Sequence, residues 1–311
     1  MMRRAFAAAL LLLSAAPAAA EDWKLVWSDE FTGSALDQRK WGFDADCWGG
    51  GNNERQCYTA SPRNARVYNG KLVITARRES TTGPALPASQ RPDPTVPGAL
   101  VTREYSSARL TTRGKASWRY GRIEMRASLP QGQGTWPAFW MLPEKNTYGT
   151  WAASGEIDIL EAVNLGVACK ACAGGREDTI LGTLHFGRQW PANVHAGTEV
   201  HASAVLRGYH TYAIEWQPDR ITWQLDGKTY ATRQRNEWWS AGSSAAGAPF
   251  DQPFHLLLNL AIGGGLAESR GTGGVSATNF PKRFVIDWIR VWQKPVLAAS
   301  VPAGMVGEGG K

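Results

Sequence analysis

The 311-residue chain has no apolar run long enough to cross a bilayer and no Lys/Arg cluster of the kind that grips nucleic acid. It also lacks a sustained 3.6-residue apolar period, an internal repeat and a coiled-coil heptad, which excludes a helical bundle, a solenoid and a fibrous rod. Four cysteines are too few for a small disulfide scaffold. With 20% charged and 10% aromatic residues the chain is globular, with length enough for one large domain.

The first twenty residues carry Arg3 and Arg4, the apolar run Ala5 to Leu13, and Ala18-Ala19-Ala20, the series of a secretory signal peptide cut after Ala20. That predicts a secreted or periplasmic protein. Cleavage takes away two arginines and no acid, so the net charge falls from +7 to +5, a mild general surface excess. Export favours oxidation of the cysteines. Cys47/Cys57 and Cys169/Cys172 each flank one loop, which favours local pairing over a zinc site at Cys169-x-x-Cys172.

Short alternating stretches fill the rest. Trp23–Phe31 opens the series, and Ala65–Arg77 holds an Asn69-Gly70 turn between two strand patterns, the strongest short hairpin signal. Ser107–Thr112, Tyr120–Leu129, Thr135–Leu142, Thr179–Phe186, Tyr209–Trp216, Arg220–Leu225, Phe254–Ile262 and Arg283–Trp292 repeat the pattern. Thr81–Pro97, with five prolines, reads as a surface loop, and one short helix is expected around Asn236–Ser240. The expected class is all-β, a sandwich or barrel in one domain over residues 21–294, followed by an unstructured Ala/Gly/Pro-rich tail, 295–311.

The stretch Ser154–Asn164, S-G-E-I-D-I-L-E-A-V-N, places Glu156, Asp158 and Glu161 inside an apolar run. A solvated helix face is the competing reading, but Gly155, two isoleucines and a valine favour a strand. On a strand Glu156 and Asp158 share one face, and Glu161 joins them only if an extra residue is absorbed, which predicts a β-bulge at Ile159–Leu160. Three converging carboxylates cannot all ionise cheaply. One ionised as nucleophile and one kept protonated is the division of labour of retaining glycosidic cleavage, for which the working carboxyls sit roughly 5–5.5 Å apart.

Fifteen tryptophans exceed what such a core holds, so some are expected to line a groove and stack on sugar rings, Trp136 and Trp140 first among them. Polar residues on other predicted strands are candidates for the same groove. These are Arg109, His185 and Asn259, with Asn53 and Trp239 beside them.

W-S-D-E-F (27–31), N-N-E-R-Q-C-Y-T (52–59), N-G-K-L (69–72), Y-G-R-I-E-M-R-A (120–127), W-P-A-F-W-M-L (136–142), G-E-I-D-I-L-E (155–161) and D-W-I-R-V-W (287–292) run collinearly over nearly the whole mature chain. Together they resemble glycoside hydrolase family 16, most of all its laminarinase branch. The resemblance implies a β-jelly-roll of two curved antiparallel sheets with a concave substrate cleft. It makes Glu156 the nucleophile, Asp158 the assisting carboxylate and Glu161 the general acid and base, acting endo on β-1,3-glucan without a catalytic cofactor. It also implies a structural calcium held by Glu30, the Gly70 carbonyl and Asp287. The expected partner is a polysaccharide, with no nucleic acid or membrane, and the chain is expected to act as a monomer. Residues 266–277 depart from the family pattern. Relatives acting on agar, carrageenan or mixed-linkage glucan, and non-catalytic glucan-binding proteins, share the scaffold; here all three acids are present.

Overall fold

The structure is a computed structural model that describes residues 23–170 and 172–295. The expected signal peptide and nearly all of the expected tail lie outside the described residues. Strands appear where apolar and polar residues alternate. In chain order they are β1 (Lys24–Asp29), β2 (Gly42–Asp44), β3 (Gln56–Tyr58), β4 (Ala65–Tyr68), β5 (Lys71–Pro84), β6 (Leu100–Ser107), β7 (Arg109–Thr111) and β8 (Gly121–Ser128). There follow β9 (Thr135–Pro143), β10 (Glu156–Glu161), β11 (Thr179–Phe186), β12 (Val194–His201), β13 (His210–Trp216), β14 (Arg220–Leu225), β15 (Lys228–Gln234), β16 (Phe254–Ile262) and β17 (Lys282–Gln293). Among the described residues the single α-helix, α1 (Gly265–Glu268), is one turn long.

The strands form two sheets. One runs β15-β14-β13-β8-β17-β5-β6-β3, with β1 added on β17 and β4 on β5; the other runs β12-β11-β10-β9-β16-β7-β2. Each sheet turns one face inward to a shared core. On β16 the alternation is complete: Leu256, Leu258, Leu260 and Ile262 have no exposure and belong to the core, leaving His255, Leu257 and Asn259 on the opposite face. Ile123, Met125, Tyr212, Ile214, Trp216, Trp223, Phe284 and Ile286 answer them from the first sheet. At roughly 25 cal/mol per Å² of apolar surface removed from water, such side chains dominate the stability of the sandwich. This is the sandwich that the alternation leads one to expect, and the β-jelly-roll that the resemblance implies.

Several expectations are met locally. Asn69 and Gly70 both have positive φ (50° and 68°) and join β4 to β5, as a tight hairpin turn demands. Both cysteine pairs close locally, Cys47 with Cys57 and Cys169 with Cys172, so the CxxC sulfurs are not free to bind zinc.

Other expectations need correction. The stretch read as one strand, Ser107–Thr112, is divided: Ser107 ends β6 in one sheet and Arg109 opens β7 in the other, with buried Ala108 at the crossing. Thr81–Pro84 is not loop but the end of β5, because Thr81 to Pro84 pair with Arg103 to Leu100 and the Pro84 carbonyl still accepts a bond from Cys47 N–H. The pairing of β3 with β6 is parallel, where antiparallel sheets were expected. The expected helix at 236–240 is only a 3₁₀ turn, Arg235–Glu237. The edge strand β12 was not foreseen, since V-H-A-G-T-E-V-H is polar, glycine-bearing and half exposed.

One contact ties the two layers together at the acid strand. The Trp223 indole lies against Gly182 on β11, where an added Cβ would stand 2.4 Å from its ring. From there its N–H donates to the Asp158 carbonyl at 2.8 Å. Gly182→Ala is therefore expected to cost about 1–3 kcal/mol, the usual penalty of overpacking. Denaturant midpoints of the two proteins check this; an unchanged midpoint would show that the indole moves aside freely.

Candidate active site

Strand β10 lies between β9 and β11. Asp158 pairs with Trp140 on β9, but Leu160 rather than Ile159 pairs with the next residue, Phe139. Ile159 is thus the extra residue of a bulge, at the place the acid spacing requires. Its consequence is visible in burial: Ile157, Ile159 and Leu160 all face the core, so two consecutive residues point the same way. Glu161 is thereby returned to the face that carries Glu156 and Asp158. The Asp158 carbonyl at the kink is satisfied from the other sheet by Trp223.

The three carboxylates have unequal surroundings. Glu156 Oε2 accepts from Trp151 Nε1 at 2.8 Å, and its Oε1 lies 3.6 Å from His185 Nε2. Glu161 Oε1 accepts from Trp136 Nε1 at 2.9 Å. Asp158 is the most enclosed, 3% exposed, and its Oδ2 has no hydrogen-bond partner, although His185 Nε2 stands 3.2 Å away.

Burial pushes all three carboxyls upward in pKa. Glu156 is raised to about 8, first by burial and then by the charge of Asp158, against the opposing pull of His185 and the Trp151 bond. Asp158 is raised well above the carboxylate range by burial, then by the charge of Glu161. Glu161 is raised by burial, with Trp136 and His185 opposing and Glu54 reinforcing. The site therefore holds protons at neutral pH, and indole N–H groups serve Glu156 and Glu161 but not Asp158.

The other expected residues divide. Trp140 and Asn259 are brought together on the acid-bearing face, the indole donating to Asn259 Oδ1 at 2.7 Å. His185 is there too, against the acids themselves rather than free in a groove. Trp239 is 43% exposed beside Gly187, just past the end of β11, with the Arg188 guanidinium over its ring. Asn53 is exposed, with positive φ, on the loop before Glu54.

Two assignments change. Trp136 is not a stacking platform, because the 265–277 segment covers it: it is 8% exposed, clustered with Val163, Ala261 and Ala267, and spends its N–H on Glu161. That segment is fastened by Gln133, which donates to three of its carbonyls, and by the Arg55–Glu268 ion pair. Arg109 does lie beside Asn259 in register, but its guanidinium is consumed by Asp44 (2.9 Å) and Asp46 (3.4 Å) and packs over Tyr58. A buried, doubly paired arginine supports the site rather than reaching into it.

Trp151, Glu54 and Trp223 were missed. Trp151 sits five residues before Glu156 in T-W-A-A-S-G-E, a proximity that could have singled it out. Glu54 lies inside N-N-E-R-Q and is held by Gln56 and Tyr58. Trp223 comes from the other sheet, 65 residues on, and no sequence signal points to it.

The residues expected to hold calcium do not fit the ion. Glu30 accepts two bonds from Arg290, both 2.9 Å, and is held below the usual carboxylate range by them. Asp287 is raised by burial, but Lys71 (2.8 Å) and Arg126 outweigh this and lower it. Three cations of the chain itself compensate the two carboxylates that calcium would need.

Residues 52–290 match the sequence profile of glycosyl hydrolases family 16. A beta-glucanase of Rhodothermus marinus is 41% identical over 279 residues, which cover 88% of this chain and 86% of that protein. Glucan endo-1,3-beta-glucosidase A1 of Niallia circulans is 38% identical over 282 residues, 87% of this chain but only 38% of the relative's length. The X-ray structure of the laminarinase from Rhodothermus marinus superposes with a TM-score of 0.71 at 39% identity, covering 88% of this chain and 98% of that one.

Two outcomes are expected. Calcium added to metal-free protein should leave the melting temperature unchanged; a rise of several degrees would show that the ion displaces the salt bridges. The second concerns pH. The native state keeps a proton on Glu156 that the unfolded chain releases, so the stability this proton confers is full below about pH 4.5 and is lost as pH rises towards about 8. Glu156→Gln should therefore gain stability relative to the parent across that window. Denaturant midpoints at pH 5 and pH 8 that move in parallel for both proteins would contradict the raised pKa.

Proposed function

This chain belongs to glycosyl hydrolases family 16 and is a glycoside hydrolase, and from that premise we propose that it is an exported retaining endo-β-1,3-glucanase acting on laminarin-type glucans. The observation that carries the reading is the bulged strand that turns Glu156, Asp158 and Glu161 to one face, within a chain about 40% identical to proteins named for β-glucan cleavage. Export is supported by the two disulfides, which persist in oxidising compartments.

Glu161, its proton affinity raised by burial, protonates the oxygen of the scissile glycosidic bond as that bond breaks. Glu156 attacks the anomeric carbon and forms the glycosyl-enzyme ester. Its ionisation depends on Asp158, whose charge is the second cause of the rise at Glu156. An Asp158 that keeps its proton removes that repulsion, so the fraction of Glu156 that ionises is the nucleophile, with Trp151 N–H and His185 beside it. Deprotonated Glu161 then takes a proton from water, whose oxygen attacks the anomeric carbon and expels Glu156. Two inversions at one carbon give net retention.

Reducing-sugar release from laminarin should fall by about 10³-fold or more in Glu156→Gln, with the fold intact by circular dichroism. NMR of the first-formed reducing ends of the parent enzyme should show the β-anomer before mutarotation. Turnover unaffected by the substitution would remove Glu156 from the reaction, and an initial α-anomer would replace double displacement by a single one.

A further inference from the structure

The face that carries the acids also carries a set of donors suited to a transition metal. One potential ligand atom from each of Glu156, Asp158 and His185 lies within 4.8 Å of the other two. His185 Nε2 is 3.6 Å from Glu156 Oε1 and 3.2 Å from Asp158 Oδ2. Zinc bonds to nitrogen and oxygen of about 2.0–2.2 Å place donors roughly 3.3–3.5 Å apart along the edges of a tetrahedron. The two measured edges bracket that length.

No indole or backbone donor reaches these atoms, so the two carboxyls have only each other and His185 to meet. Trp151 occupies the other oxygen of Glu156, which orients Oε1 towards His185. The Asp158 side chain is 4% exposed, and its Oδ2 has no hydrogen-bond partner. A buried carboxylate oxygen without a donor is costly unless something positive comes to it. One imidazole with two carboxylates is a three-ligand set that leaves a fourth position for water, and the nitrogen donor selects zinc-like ions over magnesium or calcium.

We propose that a divalent transition cation of the zinc class displaces to solvent the protons held by Glu156 and Asp158, binds both carboxylates and His185, and reversibly blocks the enzyme. The ion would occupy the carboxylate proposed to attack the anomeric carbon, so it competes with substrate. The block rests on the role proposed above for Glu156; the binding does not. His185 Nδ1 is buried without a protein partner, so the imidazole lacks the outer hydrogen bond that raises affinity in permanent zinc sites. Occupancy is accordingly reversible by chelation.

The test uses metal-free parent protein, zinc chloride and cobalt(II) as a spectroscopic probe. Zinc should raise the melting temperature, and cobalt should give the visible absorption of a four-coordinate ion that zinc abolishes. Zinc affinity by calorimetry should fall about tenfold or more in His185→Ala and in Glu156→Gln, while His210→Ala, a histidine paired with Asp226 elsewhere, should retain it. Zinc should also raise the apparent KM for laminarin with kcat little changed, and EDTA should reverse this. Absence of the cobalt band, or undiminished zinc affinity in both site variants, would overturn the site. Affinity lost in both variants while hydrolysis is indifferent to bound zinc would keep the site and overturn the block, together with the role of Glu156.

Discussion

The site depends on a kink in one strand and on the bond that accommodates it. A bulge rotates every later side chain by one position, so without Ile159 as the extra residue Glu161 would point into the core. The kink leaves a carbonyl buried between the sheets. Trp223 crosses the core to meet it, and Gly182 is the residue small enough to let the indole approach. The opposite sheet thus takes part in the site through a backbone bond.

Once the three acids share a face, electrostatics divides them. Each is raised by burial, the charge of Asp158 raises Glu156 and that of Glu161 raises both others, so full ionisation is the least favourable state. The protein supplies N–H donors unevenly, Trp151 to Glu156 and Trp136 to Glu161, with none for Asp158 Oδ2. Negative charge is easier to carry on the first and last acids than on the middle one. The same unequal supply leaves the free oxygen that, with His185, makes a metal-binding corner.

Much of this was legible in the chain because strand alternation is a local property. The apolar positions of β16, the Asn69-Gly70 turn, the local disulfides and the bulge could all be read from neighbours in sequence. Trp136 was misread because its covering segment, 265–277, lies more than a hundred residues away and is mostly glycine and polar residues, with Leu266 and Ala267 reaching the indole. Arg109 was misread for a related reason. Its partners Asp44 and Asp46 reach it only because β2 adds to the sheet edge beside β7.

The sequence by itself determined that the chain forms strands, that three carboxylates sit on one of them, and that their spacing demands a bulge, since each follows from the two-residue period of extended backbone. Only the tertiary structure decided which donor each acid receives, that His185 contacts two of them, and that Trp223 supports the kink. Apart from Trp151 and Glu156, five residues apart, those contacts join residues tens of positions apart. Their distances are set by sheet order and packing, which no local period encodes.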